Sequence, residues 1–247
     1  PGLADIIAFT ALSKRIGFWA SPAVYKDLKP DTRKLCMGIK LFLDGSIGAM
    51  SAAITGTWPN GTNGMLTYKD SELENLLFKI SSFNTGIAVH AIGERAIDQF
   101  LTCLQKVQNQ GQTFPYIQME HVQFITESQM RTCKDLGITL SMQPNFNDDS
   151  LIYTDRLSNY YCRHNNPFRA LIDRFGFKPG ADLLFGSDGM PHSIAFALQS
   201  SLFPPYPDQE LSLKEFVAGY GEATIDKTST CRYEIDTIAK TVTMVSN

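Results

Sequence analysis

The feature that most constrains this chain is an alternation. Short, almost unbroken apolar runs are separated by amphipathic stretches with helical spacing. Residues 37–43 (MGIKLFL), 86–90, 116–120, 138–142 and 182–185 read as strands, and 16–25 (IGFWASPAVY) as an earlier short strand. Between them, 71–83, 94–108, 126–136 and 168–175 carry the helical period. Ala96, Ile97, Phe100, Leu101, Leu104 and Val107 mark it most clearly. A last helix begins at 212, where Ser212 is suited to the N-cap. Strands alternating with helices of about 10–15 residues predict a parallel sheet wrapped by helices. Near-continuous apolar strands are expected when both sheet faces are covered.

Two architectures satisfy that pattern, a doubly wound sheet and a TIM barrel. No GxGxxG or GxxxxGK[ST] loop follows the first strand, as a nucleotide-binding doubly wound sheet would require. Lys40, His90, His121, Asn145 and Asp188 instead fall inside or at the C-terminal ends of successive predicted strands. In a barrel all those ends meet at one mouth, where catalytic residues gather. The expectation is therefore α/β of the (β/α)8 TIM-barrel type.

Composition excludes several functions. Lys plus Arg number 22 against 25 Asp plus Glu, so no basic surplus points to nucleic acid. The longest apolar runs fall far short of the roughly 18 residues that a membrane span needs. The five cysteines, Cys36, Cys103, Cys133, Cys162 and Cys231, are scattered and odd in number. That pattern suits reduced thiols in a cytoplasmic protein rather than a disulfide framework.

His90 (AVHAIGERA), His121 (QMEHVQF) and Asp188 (LLFGSDGMP) are suitable ligands for a borderline divalent ion such as zinc. Each alone has a plainer reading, a hydrogen-bonded core histidine or a turn aspartate. Three ending separate strands of one array make that reading harder to hold. Lys40 sits mid-strand, where an unpaired ammonium would cost several kcal/mol. A salt bridge to an acid such as Asp44 is one resolution. A lysine of depressed pKa forming a Schiff base is another, and carboxylation to an anionic ligand bridging two metals is a third. Residue types alone leave the three open.

Five motifs occur in fixed order: GIKLFLDGSIGAMSAA, HAIGERAIDQF, MEHVQFI, PFRALIDRFG and LLFGSDGMP. Together, over roughly residues 15–224, they resemble the amidohydrolase superfamily, in particular amidohydrolase family 3. The resemblance implies a metal-dependent barrel that hydrolyses C–N bonds of linear or cyclic amides with a metal-activated water. It also implies one or two divalent ions, most readily Zn2+. Lys40 would correspond to the carboxylated strand-four lysine, His90 and His121 to the strand-five and strand-six ligands. Asp188 would correspond to the strand-eight aspartate, both metal ligand and catalytic base. Asn145, Arg169 and His192 are further candidates for contact with a small-molecule amide substrate.

The resemblance breaks at two places. The family's first strand ends in His-x-His, and no two of His90, His121, His164 and His192 are separated by one residue. Only strands three to eight are expected, as a partial barrel over 1–224, with 225–247 a tail or the remnant of a small β-domain. Open sheet edges would call for cover by the rest of a longer enzyme or by another chain, a homo-oligomer included. The alternative function is accordingly a non-catalytic barrel fragment that needs its missing N-terminal part or a partner. With metal ligands missing, Lys40 is expected as a free amine paired with Asp188 across the mouth, or with Asp44 locally.

Overall fold

The computed structural model describes residues 17–188, 193–221 and 232–245. In chain order the elements that position the site are β1 (Phe18–Ala20), α1 (Pro22–Asp27), β2 (Cys36–Phe42), α2 (Asp70–Ser81), β3 (Gly86–Ala91) and α3 (Glu94–Asn109). They continue with β4 (Ile117–His121), α4 (Glu127–Asp135), β5 (Thr139–Met142), α5 (Asn159–His164), β6 (Leu183–Phe185), α6 (Ile194–Leu202) and α7 (Leu213–Gly221). A hairpin, β7 (Arg232–Asp236) and β8 (Thr241–Val245), follows. Strands β1 to β6 form one sheet in sequential order, every pairing parallel. This is the strand arrangement of a (β/α) barrel. Among the described residues β1 and β6 each have a single neighbour, so the barrel is not closed.

Two local expectations are corrected. The run 16–25 holds a strand only over Phe18–Ala20. Ser21 Oγ accepts the Val24 N–H at 3.3 Å and Pro22 occupies the first turn, so the chain enters α1 instead. The helix expected over 168–175 contains a wide π-helical turn at Ala170–Arg174.

Strand alternation separates two faces. Ile39, Leu41, Ile87, Val89, Met119 and Leu140 point to the helices and are fully or almost fully buried, with Leu73, Leu77, Phe100 and Leu104 packed over them. Burying a side chain of this kind stabilises by roughly 1.5–3 kcal/mol. The opposite face carries Lys40, His90, Glu120 and Ser141. Register places Phe42 beside His90, His90 beside Glu120, and Glu120 beside Ser141. In the register of β2 and β3, Gly38 lies opposite Gly86. A Cβ on Gly38, whose φ is 150°, would lie 1.9 Å from the Gly86 carbonyl oxygen, so the register of the Lys40 strand depends on that glycine.

The β7–β8 hairpin docks on α6. Val242 is buried with Ala197, Leu198 and Phe216, and its N–H donates to Gln199 Oε1 at 3.1 Å. Cys36, Cys103, Cys133 and Cys162 are free thiols, as expected; Cys231 lies outside the described residues. Among the described residues no helix is long and apolar enough to cross a membrane.

Candidate active site

Lys40, Glu120, His121, Ser141, Gln143 and Asp188 line one cavity of about 350 Å3 on the polar face of the sheet. Lys40 Nζ is 3.1 Å from Glu120 Oε1, both side chains mostly buried. This corrects the expected partners: neither Asp188 nor Asp44 pairs with the lysine. The sheet explains why. Lys40 and Glu120 lie on alternate strands, with the small Ala88 and His90 between them, so the long lysine reaches across. Burial pushes the Lys40 ammonium pKa down, and Glu120 pulls against it. Burial pushes the Glu120 carboxyl up, but Lys40 and hydrogen bonds from Ser141 and Gln118 outweigh it and hold the group below the usual carboxylate range.

Asp44 has a different task. Its carboxylate is fully buried and accepts the backbone N–H groups of Ala53 (2.9 Å), Ile92 (3.0 Å) and Gly93 (2.9 Å). It thereby fastens the loop after β2 to the end of β3. Gly93 is required there, because a Cβ would meet the Ala53 carbonyl oxygen at 2.1 Å. The same loop presents the Gly45 carbonyl to His90 Nε2 at 2.9 Å. A carbonyl only accepts, so Nε2 carries a hydrogen, and the same nitrogen lies 3.3 Å from Asp44 Oδ1.

His121 ends β4. Simple alternation would turn it toward the helices with Met119. Left-handed backbone at His121 (φ 72°) and Val122 (φ 42°) breaks the alternation and brings the imidazole into the cavity. Its Nδ1 donates to Gln143 Oε1 at 2.8 Å, which leaves the Nε2 lone pair 4.0 Å from Asp188 Oδ2. Burial, aided by the neighbouring His90, lowers the His121 pKa to about 4, so the ring is neutral at neutral pH. The His90 and His121 rings meet edge-on at 4.6 Å between centroids. Asp188 lies just beyond β6, also in left-handed backbone (φ 48°), with its carboxylate largely exposed. Lys40, His90, His121 and Asp188 are thus gathered by a chain of short contacts.

The remaining candidates fall elsewhere. Asn145 is buried, and its amide donates to the Ser187 carbonyl at 3.0 Å, fixing the turn that leads to Asp188. Arg169 pairs with Glu215 at 2.8 Å and borders a separate cavity of about 370 Å3 on the outer side, with Tyr160, His164 and Arg174. His192 lies outside the described residues. Two contributors escaped the sequence reading, Glu120 as the lysine's partner and Gln143 as the orienter of His121. A signal existed for Glu120: an in-strand lysine needs an acid on the same face, and alternation puts Glu120 there.

The amidohydrolase family model matches residues 7–199, most of the chain. The chain belongs to the amidohydrolase family. YtcJ of Bacillus subtilis (strain 168) is 26% identical over 110 residues, 44% of this chain and 20% of that protein. Protein LONG AFTER FAR-RED 3 of Arabidopsis thaliana is 28% identical over 110 residues, 43% of this chain and 19% of that protein. Among solved structures, an uncharacterized metal-dependent hydrolase from Pyrococcus furiosus superposes with a TM-score of 0.64 at 20% identity, covering 87% of this chain and 42% of that one. Another from Pyrococcus horikoshii OT3 gives 0.65 at 23% identity, covering 81% and 41%. This chain therefore spans less than half of each of these relatives, and the likeness to the solved structures is one of fold.

Proposed function

We propose that this amidohydrolase-family chain carries part of a catalytic centre that hydrolyses the C–N bond of a small amide with a divalent metal ion. One observation carries the reading. His121 and Asp188 line one cavity, with His121 Nε2 4.0 Å from Asp188 Oδ2, and the His90 ring meets His121 edge-on, so two imidazoles and a carboxylate from three separate strand ends come together. The donor chemistry fits a borderline divalent ion, of which zinc is the type. Each imidazole has one nitrogen committed as a donor to a protein oxygen, the arrangement by which proteins orient metal-binding histidines. His90, His121 and Asp188 would hold the ion, with Lys40 beside them as its amine or as a carboxylated ligand.

A bound divalent ion supplies Lewis acidity, lowering the pKa of water toward about 7 and polarising an amide carbonyl. The residues of the chain do the rest. Asp188 has an accessible carboxylate able to take a proton from water and return it to the leaving nitrogen. Gln143 keeps His121 in one tautomer, and the Gly45 carbonyl holds His90 in place. The Lys40–Glu120 pair keeps the wall polar and its charges balanced.

The test is amide hydrolysis by the purified chain supplied with zinc, manganese or cobalt. Asp188→Asn and His121→Ala are expected to lower turnover at least a hundred-fold, and a chelator to abolish it reversibly. Turnover that survives chelation and both substitutions would refute the reading. A second reading, a barrel portion that is not catalytic by itself, is favoured by the lack, among the described residues, of a cluster of three His, Cys, Asp or Glu side chains spaced around one point. Metal binding without turnover would select it.

A further inference from the structure

Beside the strand-end cluster lies a second cavity, of about 270 Å3, built from the loops that follow β2, β3, β4 and β5. Its volume is near the lower end of the roughly 300–1,000 Å3 typical of ligand pockets. It opens on the same mouth: Phe146, one of its walls, stacks on His121 at 6.2 Å, and Ser46 and Ile47 continue the loop that presents Gly45 to His90. Ile47, Ile92, Phe146, Tyr153 and Phe196 give it an apolar body. Two adjacent carboxylates, Asp148 and Asp149, lie at one end.

Among the described residues neither carboxylate meets a cation. Asp149 Oδ2 accepts only from Gln123 Nε2 at 3.0 Å, and Asp148 Oδ1 from Ser200 Oγ at 3.2 Å. Arg156, stacked on Tyr153, bonds the Gly48 carbonyl and pairs with Asp155. A further polar atom waits in the same wall: Asn145 is 4% exposed, and its Oδ1 is buried without a hydrogen-bond partner among the described residues. Two partly buried carboxylates, each with one neutral donor, and an unused amide oxygen leave acceptor capacity unfilled and no cation opposite it among the described residues. Such groups are costly unless a ligand completes them.

From this geometry we infer that the cavity is a specificity subsite for a substrate group with an apolar stem and a cationic, hydrogen-bond-donating head, such as an alkylammonium or alkylguanidinium. The stem would lie against Phe146, Ile92 and Phe196, and the head would donate to Asp148 and Asp149. The amide of such a substrate would then lie toward His121 and Asp188. The inference rests on the hydrolase reading for the role of the subsite, though not for its ability to bind. Burial raises both carboxyl pKa values, that of Asp149 to about 6, as expected for acids waiting for a counter-charge.

The test is a binding measurement on the full chain without added metal, by ligand-detected NMR or calorimetry. The probes are n-pentylammonium, the neutral alcohol 1-hexanol and the anion hexanoate. Pentylammonium is expected to bind at least ten-fold more tightly than either, and Asp149→Asn and Asp148→Asn each to erase the preference while leaving hexanol binding unchanged. Equal binding of the three probes to the unaltered chain, or a preference that survives both substitutions, would overturn the inference; the first outcome needs no variant to fold. Cation-selective binding without amide hydrolysis would fault the catalytic reading alone. Hydrolysis without cation selectivity would fault the subsite alone.

Discussion

Glu120 shows how a single residue ties the site to the stability of the sheet. Removing its charge leaves the Lys40 ammonium on a mostly buried face without a counter-ion. Breaking a buried pair costs about 3–5 kcal/mol, and the remaining exposure of 18% and 13% places this one near or just below the bottom of that range. Glu120→Gln is therefore expected to lose about 2–3 kcal/mol in urea denaturation, and Lys40→Met combined with Glu120→Met to recover most of it. A single variant as stable as the parent would show that the pair does not hold the lysine. Asp149 acts in the opposite direction. Its folded pKa of about 6 lies above the ordinary 3.8, so the folded chain keeps a proton that the unfolded chain releases. That contribution is complete below pH 3.8, fades as pH rises, and is gone above about 6. The shift corresponds to about 3 kcal/mol. Asp149→Asn should gain about 2–3 kcal/mol relative to the parent on going from pH 3.5 to pH 7.5, and an offset independent of pH would contradict this. Lys40, His90, His121 and Asp188 stand out in the sequence because each is a polar residue within or at the end of an apolar run. The pairing of Lys40 with Glu120 crosses an intervening strand, so reading it from the sequence needs the register of three strands, which the apolar pattern alone does not give.

At the scale of elements, the loop after β2 is the hinge of the account. Asp44 binds three backbone N–H groups from two loops, and each would be left buried and unsatisfied without it. Losing a buried partner costs about 1–3 kcal/mol per group. Asp44→Ala should therefore destabilise by at least about 3 kcal/mol and open residues 44–53 to protease, while Asp44→Asn should keep part of both. A protease pattern and denaturation midpoint like those of the parent would show that the loop is held by other contacts. The strand and helix alternation was readable here because burial on both faces writes itself as uninterrupted Val, Ile and Leu. The short β1 was over-read because IGFWA is apolar, while Ser21 and Pro22 carry the stronger local signal for a helix start. The π turn at Ala170–Arg174 spans only five residues, too short a stretch for the hydrophobic period to reveal it.

For the whole molecule, six parallel strands in sequential order carry their chemistry at one mouth, as a barrel does, although the described strands do not close. Left-handed backbone at His121 turns its imidazole into the cavity, and Asp188, in the same backbone conformation, borders that cavity with its carboxylate largely exposed. The central claim is that His90, His121 and Asp188 serve one divalent ion. Equilibrium dialysis of the chelator-stripped chain against zinc tests it most directly. About one ion per chain is expected, with occupancy lost in His90→Ala and in His121→Ala and weakened at least ten-fold in Asp188→Asn. Zinc bound equally by the parent and all three variants, or by none of them including the parent, would contradict it.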